Sequence, residues 1–172
     1  FLSINRDFSA PIKINWNPSM ENQIFLLTHD SNGFNRYEAA QDLANKIIQK
    51  EIGSIHAHEK LDIPEEYIDA FGTLLDDKSI DPFFKSQCLQ IPSEGVLLQD
   101  QEIYDFDGTH LSRNFLKKVL AKTYKEKILT LYKNLSTDKK YTLASKDVGD
   151  RALKNTLMSF LMCLEEEEIY GL

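Results

Sequence analysis

The sequence predicts a mainly α fold: an irregular stack of antiparallel helix hairpins, an α-solenoid of the armadillo or HEAT superhelix kind, preceded by a short β segment. Three observations predict it. From Met20 onward, apolar residues recur at the three- and four-residue spacing of helices that bury one face. Cap and breaker residues interrupt that spacing often, so successive helices are joined by short connections, which favour antiparallel neighbours. The first sixteen residues alternate with a period of two instead. No strict repeat length emerges, so the array is expected to be irregular.

Leu2, Ile4 and Phe8 fall at even positions, Ser9-Ala10-Pro11 breaks the run, and Ile12, Ile14 and Trp16 alternate again. This predicts two short strands within residues 1–18. Two strands alone make no stable sheet, so they are expected to pair with sequence upstream. Asn17-Pro18-Ser19 closes the segment, and residues 19–172 then read as helical throughout. Met20 to His29, with Ile24, Phe25, Leu26 and Leu27, is a short buried helix. Asp30 to Gly33 is a turn, made of residues that tolerate left-handed backbone or bond their own main chain. From Asn35, the stripe Tyr37, Ala40, Ala44, Ile47, Ile48 and Ile52 predicts a helix that Gly53-Ser54 ends. Pro64, two residues after Asp62, suits the first turn of a helix bearing Tyr67, Ile68, Phe71, Leu74 and Leu75.

Asp81-Pro82 starts another helix, running to Ile91 before Pro92, and Ser93 with Val96, Leu97 and Leu98 predicts one more short helix. Asp107 or Thr109 opens the longest helix, whose stripe runs from Leu111 through Phe115, Leu116, Val119, Leu120, Tyr124, Ile128 and Leu131 to Leu135. Ser145 is a cap for the last helix, with Val148, Leu153, Leu157, Phe160, Leu161 and Leu164 inward. Glu165 to Glu168 then places four acids at that helix's C-terminal end, against the backbone dipole. Either the helix continues beyond them, or they form a solvated, frayed end.

At 172 residues and 42% hydrophobic, the chain can build a core for one large domain. A net charge of −7 argues against nucleic-acid binding, which needs a basic face. Cys88 and Cys163 lie in apolar helical contexts and read as buried, reduced thiols, since two cysteines make no disulfide framework. No apolar run approaches the ~18 residues of a membrane span. A chain that starts at Phe1 in strand-like sequence reads as a piece of a longer protein.

Three groups of residues invite a catalytic reading. The stretch His58-Glu59-Lys60-Leu61-Asp62 imitates the H-E-x-x-H zinc motif, with Asp62 where the second His belongs and His56 nearby. Asp81 lies nineteen residues on, and Pro18 to Asn22 (PSMEN) loosely echoes a substrate-anchoring G-x-M-E-N. Yet Asp62 and Pro64 mark the approach to a helix, so His58 and Asp62 share no helical face, and Asp81 already serves as a cap. Solvated loop histidines are therefore expected. His29 and Asp30 with Arg36 and Glu38 have the composition of acid–base machinery. Glu38 equally suits the first turn of a helix, and Arg36 can bridge back to the turn before it. Cys88 and Cys163 have no nearby His, and neither a G-x-S-x-G elbow nor a glycine-rich phosphate loop occurs.

Taken together, RDFSAPIKI at Arg6 to Ile14, HDSNGFNRYEAAQDL at His29 to Leu43, LLDDKSIDPFFKSQCLQIPSE at Leu74 to Glu94, and the looser DVGDRALKNTLMSFL at Asp147 to Leu161 resemble the bacterial aminopeptidase N branch of the zinc metallopeptidases. Tyr37 departs from the tryptophan usual there. The resemblance implies that residues 1–18 are the terminal strands of a β-sandwich domain and residues 19–172 the first part of a C-terminal helical domain. It implies a cytoplasmic parent enzyme that removes N-terminal residues from peptides with one zinc ion, held in a domain upstream. Those catalytic motifs have no counterpart here. No catalytic, substrate-binding or metal residue is therefore assigned, no cofactor is expected in this segment, and its partners would be the upstream domains and the peptide substrates. The implied role is to wall or cap the catalytic chamber. Ending at Leu172, such an array is expected to expose an apolar face and to dimerise or be modestly stable. The rival reading is a free-standing helical-repeat module that binds a protein partner.

Overall fold

The computed structural model describes residues 1–12, 14–135 and 141–171. Among these lie nine helices: α1 (Met20–His29), α2 (Gly33–His56), α3 (Glu65–Asp76), α4 (Pro82–Leu89), α5 (Glu94–Leu98), α6 (Phe106–Thr123), α7 (Lys125–Leu135), α8 (Ser145–Met162) and α9 (Glu167–Tyr170). The predicted helical array is what forms. Helices α1 and α2, α5 and α6, and α7 and α8 pack as sequential neighbours. Non-sequential pairings of α2 with α6 and of α4 with α8 close the stack.

The caps show why the boundaries fall where they do. Ser19 accepts from the Asn22 N–H and Asp81 from the Phe84 N–H, each satisfying a donor that the helix start leaves free. Helix α2 runs past Gly53-Ser54 because its terminus is a Schellman turn built three residues later. There the His58 N–H donates to Ile55 O and the Glu59 N–H to Ser54 O, with His58 itself left-handed at φ 55°. A glycine with no left-handed demand on it simply continues the helix. The cap of α6 is Asp105, two residues before Asp107 and four before Thr109, since Asp105 accepts from the Gly108 N–H at 2.8 Å. Ser145 is the first residue of α8 rather than its cap; Ala144 holds the cap position.

The predicted strands do not form: among the described residues of 1–18 the regular element is a single 3-10 turn at Arg6–Phe8. Asn5, Asp7 and Phe8 have positive φ, which a strand cannot accommodate. Asp7 exchanges hydrogen bonds with Asn32 at the start of α2, while the Asn5 side chain bonds locally to Ser9 and Ala10, so no ladder is made. The stripe from Leu111 to Leu135 is likewise two helices, broken at Tyr124, whose hydroxyl donates to Ile68 O of α3 at 3.0 Å. The four glutamates are not the end of α8, which stops at Met162. Glu165 is left-handed, Glu166 holds the cap position of α9, and Glu167 and Glu168 occupy its first turn, where acids suit the helix dipole.

The core joins Leu43, Ile47 and Ile48 of α2, Leu74 and Leu75 of α3, Leu116 and Leu120 of α6, and Leu157, Phe160 and Leu161 of α8, all fully or almost fully buried. Each such side chain contributes roughly 1.5–3 kcal/mol of burial. Close approach of α8 to α4 depends on Gly149, where an added Cβ would sit 3.0 Å from the Phe83 backbone nitrogen.

Candidate functional site

The polar stretch from His29 to Asp42 becomes the hub of the N-terminal half. Helix α1 ends at His29, and Asp30 folds its carboxylate over the next turn, accepting from the Asn32 N–H at 2.8 Å. The same carboxylate accepts from Ser3 Oγ at 2.5 Å and Arg6 Nη1 at 2.9 Å. Asn32 then caps α2 by accepting from the Asn35 N–H, and Asn35 Nδ2 reaches back to Ser3 Oγ and Ile4 O. The N-terminal segment is thereby laced to the α1–α2 corner by side chains, with Phe1 stacked on Phe25 at 3.8 Å between centroids.

Arg36 is 7% exposed and spans three elements. Its Nε donates to Leu27 O at the end of α1 and its Nη2 to Asp77 at the end of α3, at 2.9 and 2.8 Å. The sequence reading sent Arg36 back to the preceding turn; it reaches past that turn instead. Ser79 and Arg36 donate to the Asp77 carboxylate and hold its pKa down at about 2. Burial pushes the Asp30 carboxyl up, but the donors Ser3, the Asn32 amide and Arg6 outweigh it, so that it lies below its ordinary value. Glu38 faces a smaller cleft lined by Ile14 and Trp16, and desolvation together with Asp42 raises its carboxyl.

These residues wall an open, polar cleft of about 1040 Å³ between the ends of α1 and α3 and the starts of α2 and α4. Its charged groups are committed to structure. Asp30 and Arg36 are bonded as above, Asp76 pairs with Lys127 at 2.6 Å, and Asp81 caps α4. His29 packs edge-on against Phe25, with centroids 5.1 Å apart. Chemically the arrangement positions helices.

The zinc-like motif is taken apart by the fold. His56 ends α2 and its Nε2 lies 2.7 Å from the Asp105 carboxylate. His58 occupies the left-handed position of the Schellman turn, and the Asp62 N–H donates to buried Glu51. The donor set does not fit a zinc ion. Among the described residues no group of three or more His, Cys, Asp or Glu is placed to hold a metal. Met20, Glu21 and Asn22 of PSMEN form the first turn of α1. Cys88 is buried and Cys163 half-buried, both free; burial pushes the Cys88 thiol up to about 12 and raises that of Cys163. Among the described residues no helix is long and apolar enough to cross a membrane.

Sequence reasoning missed the partners rather than the residues. Asp77, Ser3 and Arg6 carry no local signal that they meet Arg36 or Asp30, because 24 to 41 residues separate each pair.

The chain is 30% identical over 155 residues to aminopeptidase N of Escherichia coli, and 30% identical over 161 residues to aminopeptidase N of Caulobacter vibrioides. The Haemophilus influenzae aminopeptidase N is 26% identical over 155 residues. Each match takes in 90% of this chain, which spans only 18% of the length of those relatives. In three dimensions the fold superposes on Legionella pneumophila aminopeptidase A, solved in complex with aspartic acid, with a TM-score of 0.82 at 24% identity. That match covers 97% of this chain and 20% of the other. Residues 20–172 match the family described as a domain of unknown function (DUF3458_C) of ARM repeats, and it is to this family that the chain belongs.

Proposed function

We propose that this chain is the helical-domain portion of a zinc-dependent aminopeptidase similar to the aminopeptidases N, and that it walls or caps the chamber over a catalytic site carried elsewhere in the protein. The observation that carries the reading is the match to aminopeptidases N across 90% of this chain and only 18% of theirs. Residues 1–18 belong, in this proposal, to an adjoining β-sandwich. The start of the family match at residue 20, beside the Ser19 cap of α1, supports a boundary there. The parent enzyme is read as cytoplasmic and as acting on peptides through the same family resemblance.

Within the segment, the chain's own residues perform no step of peptide hydrolysis. The Arg36–Asp77 pair ties α1, α2 and α3 together and the Asp30 hub adds the N-terminal segment, making a wall that can limit the size of peptide reaching a chamber. Assayed on an alanyl chromogenic amide, the chain is expected to give no turnover, with or without added zinc. Zinc-dependent turnover that a chelator abolishes would overturn the proposal.

A further inference from the structure

On the side of the molecule formed by α6 and α8, a further cleft of about 510 Å³ lies between those helices and the segment that joins α4 to α5. Its charged lining is of one sign. Arg113 and Lys117 project from successive turns of α6, and among the described residues no carboxylate lines the cleft; Asn155, Ser159 and Gln90 supply neutral polar groups, and the buried Phe160 ring lines it as well. This occurs in a chain whose net charge is −7.

Arg113 is fixed from behind. Its Nε donates to Pro92 O at 2.7 Å, and among the described residues neither terminal Nη has a partner. Lys117 Nζ stands 5.6 Å from the centroid of Phe160 and pairs with no carboxylate among the described residues. Like charges four residues apart on a helix repel, and burial disfavours the ammonium further. Desolvation followed by the Arg113 charge lowers the Lys117 pKa, in keeping with an unanswered positive site. Elsewhere in the fold, Lys125 is answered by Glu166 and Glu168, Lys127 by Asp76, and Arg36 by Asp77.

We infer that the Arg113–Lys117 cleft is a binding site for a small oxyanion, a carboxylate or a phosphate, received by the free guanidinium edge and the Lys117 ammonium. Guanidinium matches the planar pair of oxygens in either group, and charge-assisted bonds in a half-buried cleft are stronger than neutral ones. Asn155 can donate to a remaining oxygen, whereas the Ser159 hydroxyl already donates to Thr156 O at 2.7 Å. The inference does not depend on the peptidase reading.

The ¹⁵N-labelled chain, titrated with inorganic phosphate and separately with acetate while chloride holds ionic strength constant, tests it. Saturable shifts are expected at the amides of residues 113–117 and 155–160 with at least one anion. The tighter of the two identifies the oxyanion class. Arg113→Gln and Lys117→Gln should each weaken that affinity about tenfold, the loss of one charged hydrogen bond. Lys117→Gln keeps the test decisive if loss of the Pro92 contact unfolds the arginine variant. Shifts that never saturate with either anion, or an affinity unchanged in folded Lys117→Gln, would overturn the inference.

Discussion

Arg36 and Asp77 lie 41 residues apart, and their pair ties the start of α2 to the end of α3. Folding lowers the Asp77 pKa from 3.8 to about 2. A depressed carboxyl stabilises the fold fully above its ordinary pKa, and that contribution drains away as pH falls through the folded value. At neutral pH it is about 2 kcal/mol. Asp77→Asn should therefore lower the urea-unfolding free energy at pH 7 by about that amount, and make the loss of stability between roughly pH 4 and pH 2 shallower. An acid limb identical to that of the unaltered chain would show that the pair does not act this way. At this scale local chemistry was legible and distant chemistry was not. The cap at Asp81 follows from its own next residues, whereas nothing near Arg36 announces Asp77.

Among the elements, apolar spacing gave the identity of the helices well but not their joints. A three-and-four stripe cannot distinguish one bent helix from two, so the break between α6 and α7 at Tyr124 was invisible. Its structural partner lies on α3: an added Cβ at Gly72 would fall 2.5 Å from Tyr124 Cζ and 2.8 Å from Cε1. Gly72→Ala should accordingly destabilise the chain by about 1–3 kcal/mol through overpacking, despite alanine's better helix propensity. Thermal unfolding of Gly72→Ala, alone and with Tyr124→Leu, measures this; the second change should recover part of the loss. A stabilised single variant would contradict the packing described. The strand prediction failed for a related reason. Alternation reports which side chains face one way, but the left-handed residues Asn5, Asp7 and Phe8 and their bonds to Asn32 and Ala10 reshape the backbone beneath it.

For the whole molecule, stacking order is the part that sequence does not disclose. Helix α4 packs on α8, more than fifty residues later, and α2 on α6, so sequential hairpins account for only part of the array. The fold class was nonetheless legible. A chain of short capped helices has the makings of a stacked helical array, and its tempting His-Glu pair was needed for a helix terminus. The proposed Arg113–Lys117 cleft escaped notice because the two cations become a site only when α8 and the segment after α4 close over them.

The central claim is that this fold is one part of a larger zinc aminopeptidase, holding its shape and none of its hydrolytic chemistry. Determining the coding sequence on both sides of this segment tests it most directly. The account predicts, upstream and in the same reading frame, an H-E-x-x-H motif, a G-x-M-E-N motif and a β-sandwich leading into residues 1–18. A continuous frame that carries neither motif would contradict it.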